Sequence, residues 1–345
     1  MAAARSDRQS DSLVSVHELT GHQISALLEE EISEWRRSLD WDFAASAELV
    51  RRFVEMRALT GFALMDSTGV TGYSYYVVEE GKGLIGDLYV RAAQRTTERE
   101  NLLLATVLDA LWRTPGTTRV EAQLLMLGMS LGTGRPGTGG PGTTVAAAAR
   151  PMPFAQWLRS YPRLFLEAPL AAAPRTQAVN LPPRQVPDAV ILPWSERRQQ
   201  EAAATLAAAY RGHIDSQIND QYRSAAGAGR FLTNIVQFPG CGSFFAPASY
   251  VAEDRNTGIL CGLCLASIVA DGVGHITQVC VDPEHRATGL GYELLRRSLL
   301  SLAASGCRTV SLTVTGANQS AVRLYERMGF RTRRNFSAFV WEKPV

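Results

Sequence analysis

The sequence predicts an α/β (α+β) chain built from two tandem, similar domains, and three observations carry that prediction. The 345 residues exceed the size at which a single hydrophobic core stops growing, so two domains are the default expectation. Strand and helix patterns run in the same order twice, over 12–170 and again over 188–345. In the second run, Arg286-Ala287-Thr288-Gly289-Leu290-Gly291 places glycines where a β-branched strand feeds a helix. A backbone folded tightly there points N–H groups outward at a helix start, which is a cradle for a phosphate or pyrophosphate.

In chain order, residues 1–11 lack periodicity and read as disordered. A strand is expected at Leu13–Leu19. Ile24, Leu27, Leu28, Ile32, Trp35 and Leu39 follow helical spacing over 23–39, with Glu29, Glu30, Glu31 and Glu34 assigned to the wet side. A second helix covers 44–57. Strands at 61–65, 71–78 and 84–90 are separated by Asp, Ser and Gly turn residues, and a helix over 102–112 and a strand over 119–127 follow. Gly128–Gly142 reads as a loop, and Phe154–Phe165 as a short helix and strand returning to the first domain. The four prolines within 171–187 predict a semi-rigid linker. The second run has a strand at 188–194, a helix at 197–211, a helical region through 214–222 and 231–236, and strands at 249–252, 259–270 and 275–281. A helix from Tyr292 and a strand at 309–314 come after the cradle.

Other phosphate loops fit the cradle poorly. A dinucleotide fingerprint would need a third glycine where Leu294 stands, and the Gly-Lys-Ser/Thr ending of a Walker loop is absent. The run instead resembles the R/Q-x-x-G-x-G/A loop of the GNAT superfamily of acyl-CoA-dependent N-acyltransferases. Downstream, Asn318, Ala321, Tyr325, Gly329 and Phe330 are similar to that superfamily's N-x-x-A-x-x-x-Y-x-x-x-G-F helix. The resemblance implies two GNAT-like domains, each a mixed, mostly antiparallel sheet flanked by helices. The tandem layout is similar to that of mycothiol synthase, but the shared motifs are superfamily-wide and do not carry over its substrate.

The resemblance also implies roles for particular residues. Val279, Cys280 and Val281 would lie on a strand splayed from its neighbour, with the pantetheine arm along its backbone and its N–H groups near the thioester oxygen. Arg286, Ala287, Thr288, Gly289, Leu290 and Gly291 would hold the pyrophosphate. Tyr325 matches the acid that protonates the departing thiolate, with packing or cofactor contact as the alternative use for it. Asn318 matches a pantetheine contact and also suits a helix N-cap. His275 stands where some relatives carry a glutamate base, and it is otherwise a strand-end histidine. Asp215, Asn219 and Tyr222 fall in the helical region that lines the acceptor pocket in relatives.

Overlaying the two runs places Val90 on Val281, Arg95 on Arg286 and Leu84 on His275, with Glu98 and Glu100 on the two cradle glycines. Two carboxylates there oppose a pyrophosphate by bulk and charge, so the first domain is expected to be degenerate. Acetyl-CoA is then the cosubstrate, bound in the second domain, and the acceptor is a small-molecule or peptide amine. An acyl-CoA-binding sensor without turnover is the alternative reading.

Lys and Arg number 35 against 33 Asp and Glu, a formal charge of +2 that argues against nucleic acid or membrane as the main partner. Arg331, Arg333 and Arg334 are expected on a solvated face. Five cysteines and no opening apolar leader fit a cytoplasmic location. Cys261 and Cys264 have C-x-x-C spacing but lie in an apolar run, and two ligands do not complete a metal site. No metal is expected.

Overall fold

A computed structural model describes residues 12–128, 150–170 and 181–344. The expected disordered start, nearly all of the Gly128–Gly142 loop and the larger part of the 171–187 linker lie outside the described residues. The chain forms two compact units, one of Met1–Glu34, Ala47–Ser160 and Ser337–Val345, the other of Trp35–Ser46 and Tyr161–Phe336.

The first unit draws on β1 (Ser12–Ser15), α1 (Gly21–Leu39), α2 (Ala44–Glu55), β2 (Thr60–Asp66), β3 (Gly69–Glu79), β4 (Lys82–Val90), α3 (Thr97–Arg113) and β5 (Arg119–Gln123). Its strands run in the order β1-β2-β3-β4-β5, antiparallel except for the β4–β5 pair. α3 begins earlier than its apolar spacing suggests because the Thr96 side chain caps it, accepting from the Arg99 N–H. Leu103, Leu104, Val107, Leu108 and Leu111 of α3 then pack on Leu88, Val90 and Val120. Burying each such side chain stabilises the unit by about 1.5–3 kcal/mol.

The second unit contains most of β6 (Leu158–Pro169), then β7 (Ala189–Pro193), α4 (Gln199–Ala209), α5 (Asp215–Ile218), α6 (Ala225–Gln237), the two-residue β8 (Ser243–Phe244), β9 (Tyr250–Asp254), β10 (Leu260–Ala270), β11 (Val273–Val281), α7 (Leu290–Ala304), β12 (Thr309–Thr315) and α8 (Gln319–Arg327). Its order is β6-β12-β11-β10-β9-β7, with β8 beside β10. α7 covers one face through Leu294, Leu295, Leu299 and Leu302 against Ile276, Val310 and Leu312. Alanine-rich α4 and α6 cover the other against Val251, Leu263, Leu265 and Cys280. Cys261 and Cys264 are buried on β10, and burial pushes their thiols up to about 11 and about 12.

The internal repeat recurs in hydrogen bonding. β4 meets β5 from Lys82↔Arg119, as β11 meets β12 from Val273↔Thr309, both parallel and both for four residue pairs. Register shifts fall at corresponding places, between Tyr75 and Tyr76 on β3 and between Leu265 and Ala266 on β10.

Three local expectations need correction. Glu31 and Glu34 are buried, at 0% and 2% exposure, because the Tyr73 and Tyr89 hydroxyls donate to them and Arg95 pairs with Glu34 at 2.7 Å. Residues from Tyr161 to Pro169, expected to close the first domain, belong to the second unit and pair antiparallel with β12, Arg163↔Thr315 to Pro169↔Thr309. A final strand, β13 (Arg331–Glu342), was hidden by its basic start. Its later residues complete the first unit's sheet along β5, Ala338↔Gln123 to Glu342↔Arg119. Arg333 is not simply solvated but bonds the carboxylates of Asp40 and Glu167. Among the described residues, no helix is long and apolar enough to cross a membrane.

Candidate active site

The site of the second unit begins where two strands part. β11 pairs with β12 only from Val273↔Thr309 to Ile276↔Leu312, while β11 continues along β10 as far as Val281↔Gly262. β12 stays paired with β6 on its other edge along its whole length, Thr309↔Pro169 to Thr315↔Arg163. The backbone groups of 277–281 that point away from β10 therefore have no strand opposite them.

Thr277 is an extra residue in β11, since Leu265 pairs with Gln278 while Ala266 pairs with Ile276. The bulge resets the alternation. Gly274 and Ile276 face α7, as do Val279 and Val281. His275, Gln278 and Cys280 consequently share the opposite face, whereas simple alternation would separate His275 from Gln278. Gln278 there donates from Nε2 to the Tyr210 hydroxyl at 2.8 Å and accepts from the Tyr222 hydroxyl at 3.4 Å.

The cradle follows β11 directly. A short 3₁₀ turn at Pro283–His285 leads to Ala287 at φ 64° and Gly289 at φ 92°, both left-handed. The first α-helical bond of α7 runs from the Glu293 N–H to the Gly289 carbonyl; the Leu290 N–H before it donates to Thr288 Oγ1 at 3.4 Å, and the N–H groups of 291 and 292 have no intrahelical acceptor. Among the described residues, a Cβ on Gly291 would meet only Val281 Cγ2, at 3.5 Å. Packing among those residues does not demand that glycine, which leaves approach of a ligand as what a side chain would obstruct. The residues present thus fit a pyrophosphate. The Arg286 guanidinium is turned inward, donating to the carbonyls of Ala209 at 2.5 Å and Val281 at 3.3 Å, so it fastens the loop from behind.

In the first unit the corresponding ground is filled. Glu100, 2% exposed, accepts from the Gly128 N–H at 3.0 Å and bonds Arg150. Arg95 repeats the inward turn of Arg286 by donating to the Val90 carbonyl.

Tyr325 is carried into the core of the second unit by α8 and is 7% exposed, its ring 6.0 Å from that of Phe330. Burial, reinforced by Cys264 and Asp215, raises its phenol well above 10, so the hydroxyl keeps its proton at neutral pH. Asn318 caps α8, accepting from the Ala321 N–H at 3.3 Å, and its Nδ2 lies 3.2 Å from His213 Nε2.

Asp215 bonds the Thr315 hydroxyl, with Arg163 Nη1 at 3.8 Å and His213 Nδ1 at 3.8 Å. Tyr222 stacks on Tyr210 at 4.4 Å. Asn219 does not join them, because its side chain caps a 3₁₀ turn by accepting from the Gln221 N–H. Sequence reading passed over Tyr210, His213 and Arg163. Arg163 lies on β6, assigned from sequence to the other domain, and no spacing rule links it to Asp215.

His275 is poorly placed as a base. It is 5% exposed, its Nδ1 lies 2.9 Å from Ser311 Oγ, and Trp41 and Phe165 stand 4.9 and 6.4 Å from its ring. Burial pushes its pKa down to about 3, which makes it a weak proton acceptor. kcat/KM should accordingly show no His275 limb near pH 6.5. The unfolded chain binds the extra proton between pH 6.5 and about 3, so stability should fall as pH drops through that window. Melting curves of wild type and His275→Asn should differ in that acid slope; an activity limb near 6.5 that vanishes in the variant would restore the base role.

Comparison with known proteins agrees with this geometry. Residues 219–330 match the model of the acetyltransferase (GNAT) family. The mycothiol acetyltransferase of Acidimicrobium ferrooxidans is 35% identical over 107 residues, 30% of this chain and 34% of that protein. That of Thermobispora bispora is 41% identical over 93 residues, covering 25% and 31%. These matches span about a third of the relatives' length. A GCN5-related N-acetyltransferase from Sphaerobacter thermophilus superposes with a TM-score of 0.65 at 15% identity, covering 97% of this chain and 96% of that one. A tandem GNAT protein from the clavulanic acid biosynthesis pathway gives 0.60 at 16%, covering 97% and 100%. At such identities the superpositions speak for the fold alone, while the family match falls on the half that carries the parted strands and the cradle. Residues 219–330, within the second unit, are thus the part of the chain that is similar to the acetyltransferase (GNAT) family.

Proposed function

We propose that the chain is an acyl-CoA-dependent N-acyltransferase, moving acetyl from acetyl-CoA to an amine by direct attack within the second unit. The observation that carries this reading is the open backbone of 277–281 running straight into the Gly289–Gly291 cradle. Pantetheine would lie along that backbone, with its pyrophosphate at the start of α7. N–H groups of the same segment would stabilise negative charge developing on the thioester oxygen. Tyr325, still protonated, would supply the departing thiolate with a proton. Asp215, whose charge reaches Tyr210 and Tyr222, takes the acceptor side, where a carboxylate suits an ammonium and a water relay suits its proton. Such a constellation favours turnover over a binding-only sensor, which needs no acid.

The first unit would be degenerate in cofactor binding, Glu100 and Arg150 occupying its cradle. The protein would work in the cytoplasm, without nucleic acid or membrane as partner. A screen of amines with acetyl-CoA, read by released thiol, tests the function. The name of the relatives puts the des-acetyl form of mycothiol first among acceptors. Thiol release with no amine in the panel would leave only hydrolysis and count against the proposal. Titration calorimetry should find one acetyl-CoA site per chain, and two equivalent sites would remove the claim of degeneracy.

A further inference from the structure

The segment Leu181–Val186 is tied across the start of α7. Leu181 and Val186 pack against the core of the second unit, and the Tyr292 hydroxyl donates to the Pro182 carbonyl at 2.9 Å. The Arg184 N–H donates to Glu293 Oε2 at 3.1 Å. These ties hold the Arg184 side chain over the cradle: its guanidinium carbon is 5.1 Å from the centroid of the Tyr292 ring. Arg184 Cδ lies 3.2 Å, and Nη1 3.8 Å, from where a Cβ on Gly289 would stand. A side chain at residue 289 would thus crowd this arginine and make it give by a few tenths of an ångström.

The charge on Arg184 is not matched nearby. Glu293 is engaged by Arg296 at 2.7 Å and Arg297 at 3.2 Å, and among the described residues no carboxylate comes within ion-pair distance of the Arg184 guanidinium. A guanidinium stacked on an aromatic ring is partly pre-ordered and keeps its N–H fork free. The α7 N–H groups and this fork thus present two sets of donors at one place. Together they suit a ligand with several anionic oxygens on adjacent phosphorus atoms better than a single carboxylate.

We infer that Arg184 is a further cosubstrate-binding residue, clamping the pyrophosphate of acyl-CoA from above while the start of α7 receives it from below. This rests on the reading of Arg286–Gly291 as an acyl-CoA cradle and adds to it a residue 109 positions upstream of Glu293 in sequence, outside both motifs.

The test is calorimetric titration of the full chain with CoA and with 3′-dephospho-CoA, for wild type, Arg184→Ala, Arg184→Gln, Gly289→Glu and, as an exposed charge control, Arg197→Ala. Both Arg184 variants should bind about tenfold more weakly at low ionic strength, by the same factor for the two ligands, with less difference at high salt. Arg197→Ala should match wild type, and kcat at saturating acetyl-CoA should be unchanged in Arg184→Ala while KM rises. Gly289→Glu losing affinity while both Arg184 variants bind as wild type would overturn the clamp and leave the cradle standing. A loss seen with CoA but not with 3′-dephospho-CoA would overturn the pyrophosphate assignment. No binding by wild type, or full affinity in Gly289→Glu, would remove the cradle and the clamp together.

Discussion

Gly289→Glu should weaken acetyl-CoA binding by about an order of magnitude or more while the second unit stays folded. Three effects point the same way. A non-glycine residue at φ 92° is strained by roughly 1–2 kcal/mol. Its Cβ would press on Arg184 Cδ at 3.2 Å, and its carboxylate would face the phosphates at short range. Gly289→Ala isolates the first two effects, so its loss should be clearly smaller. The fold should survive because the residue caps a helix at the unit's surface, and melting temperature checks this directly. Unchanged affinity in the glutamate variant would mean that the pyrophosphate is held elsewhere.

The other large effect is expected at Tyr325. Tyr325→Phe removes one oxygen and keeps the ring packed near Phe330, so kcat should drop by about 10²-fold or more with acetyl-CoA affinity nearly unchanged. Because burial raises the phenol above its ordinary value, its protonated, active form should persist to high pH. Wild-type kcat should therefore show no alkaline limb from Tyr325 below about pH 10. A phenylalanine variant that binds cosubstrate poorly yet turns over normally at saturation would make Tyr325 a binding residue.

The regular parts of the fold were legible because apolar spacing is a local signal. α1, α7 and the strands Lys82–Val90, Leu260–Ala270 and Val273–Val281 fall close to where periodicity puts them. The strand-to-helix joint was legible too, since glycine marks the left-handed turn at residue 289 that opens α7. What failed depended on distant partners. Glu31 and Glu34 look like solvent-facing residues until Tyr73, Tyr89 and Arg95 are brought to them by other elements. His275 looks like a titrating residue until Trp41 and Phe165 bury it. The bulge at Thr277 carries no local mark, yet it decides which face Gln278 occupies. Arg163 and Arg184 reach the site from segments read as belonging elsewhere, and only the fold brings them there.

The exchange of closing strands has a consequence for how the chain is made. Arg119 of β5 meets Glu342 of β13 across 223 positions of sequence, at 2.5 Å. During synthesis β5 must wait with an unpaired edge until β13 has left the ribosome, while the second unit already has β6 in hand when β12 emerges. Loop closure of that length is slow, and an exposed strand edge is open to pairing with other chains. The unit that carries the proposed chemistry can thus close before the unit that begins the sequence. Cutting the chain between 170 and 188 would yield two fragments, each lacking the strand that completes one sheet.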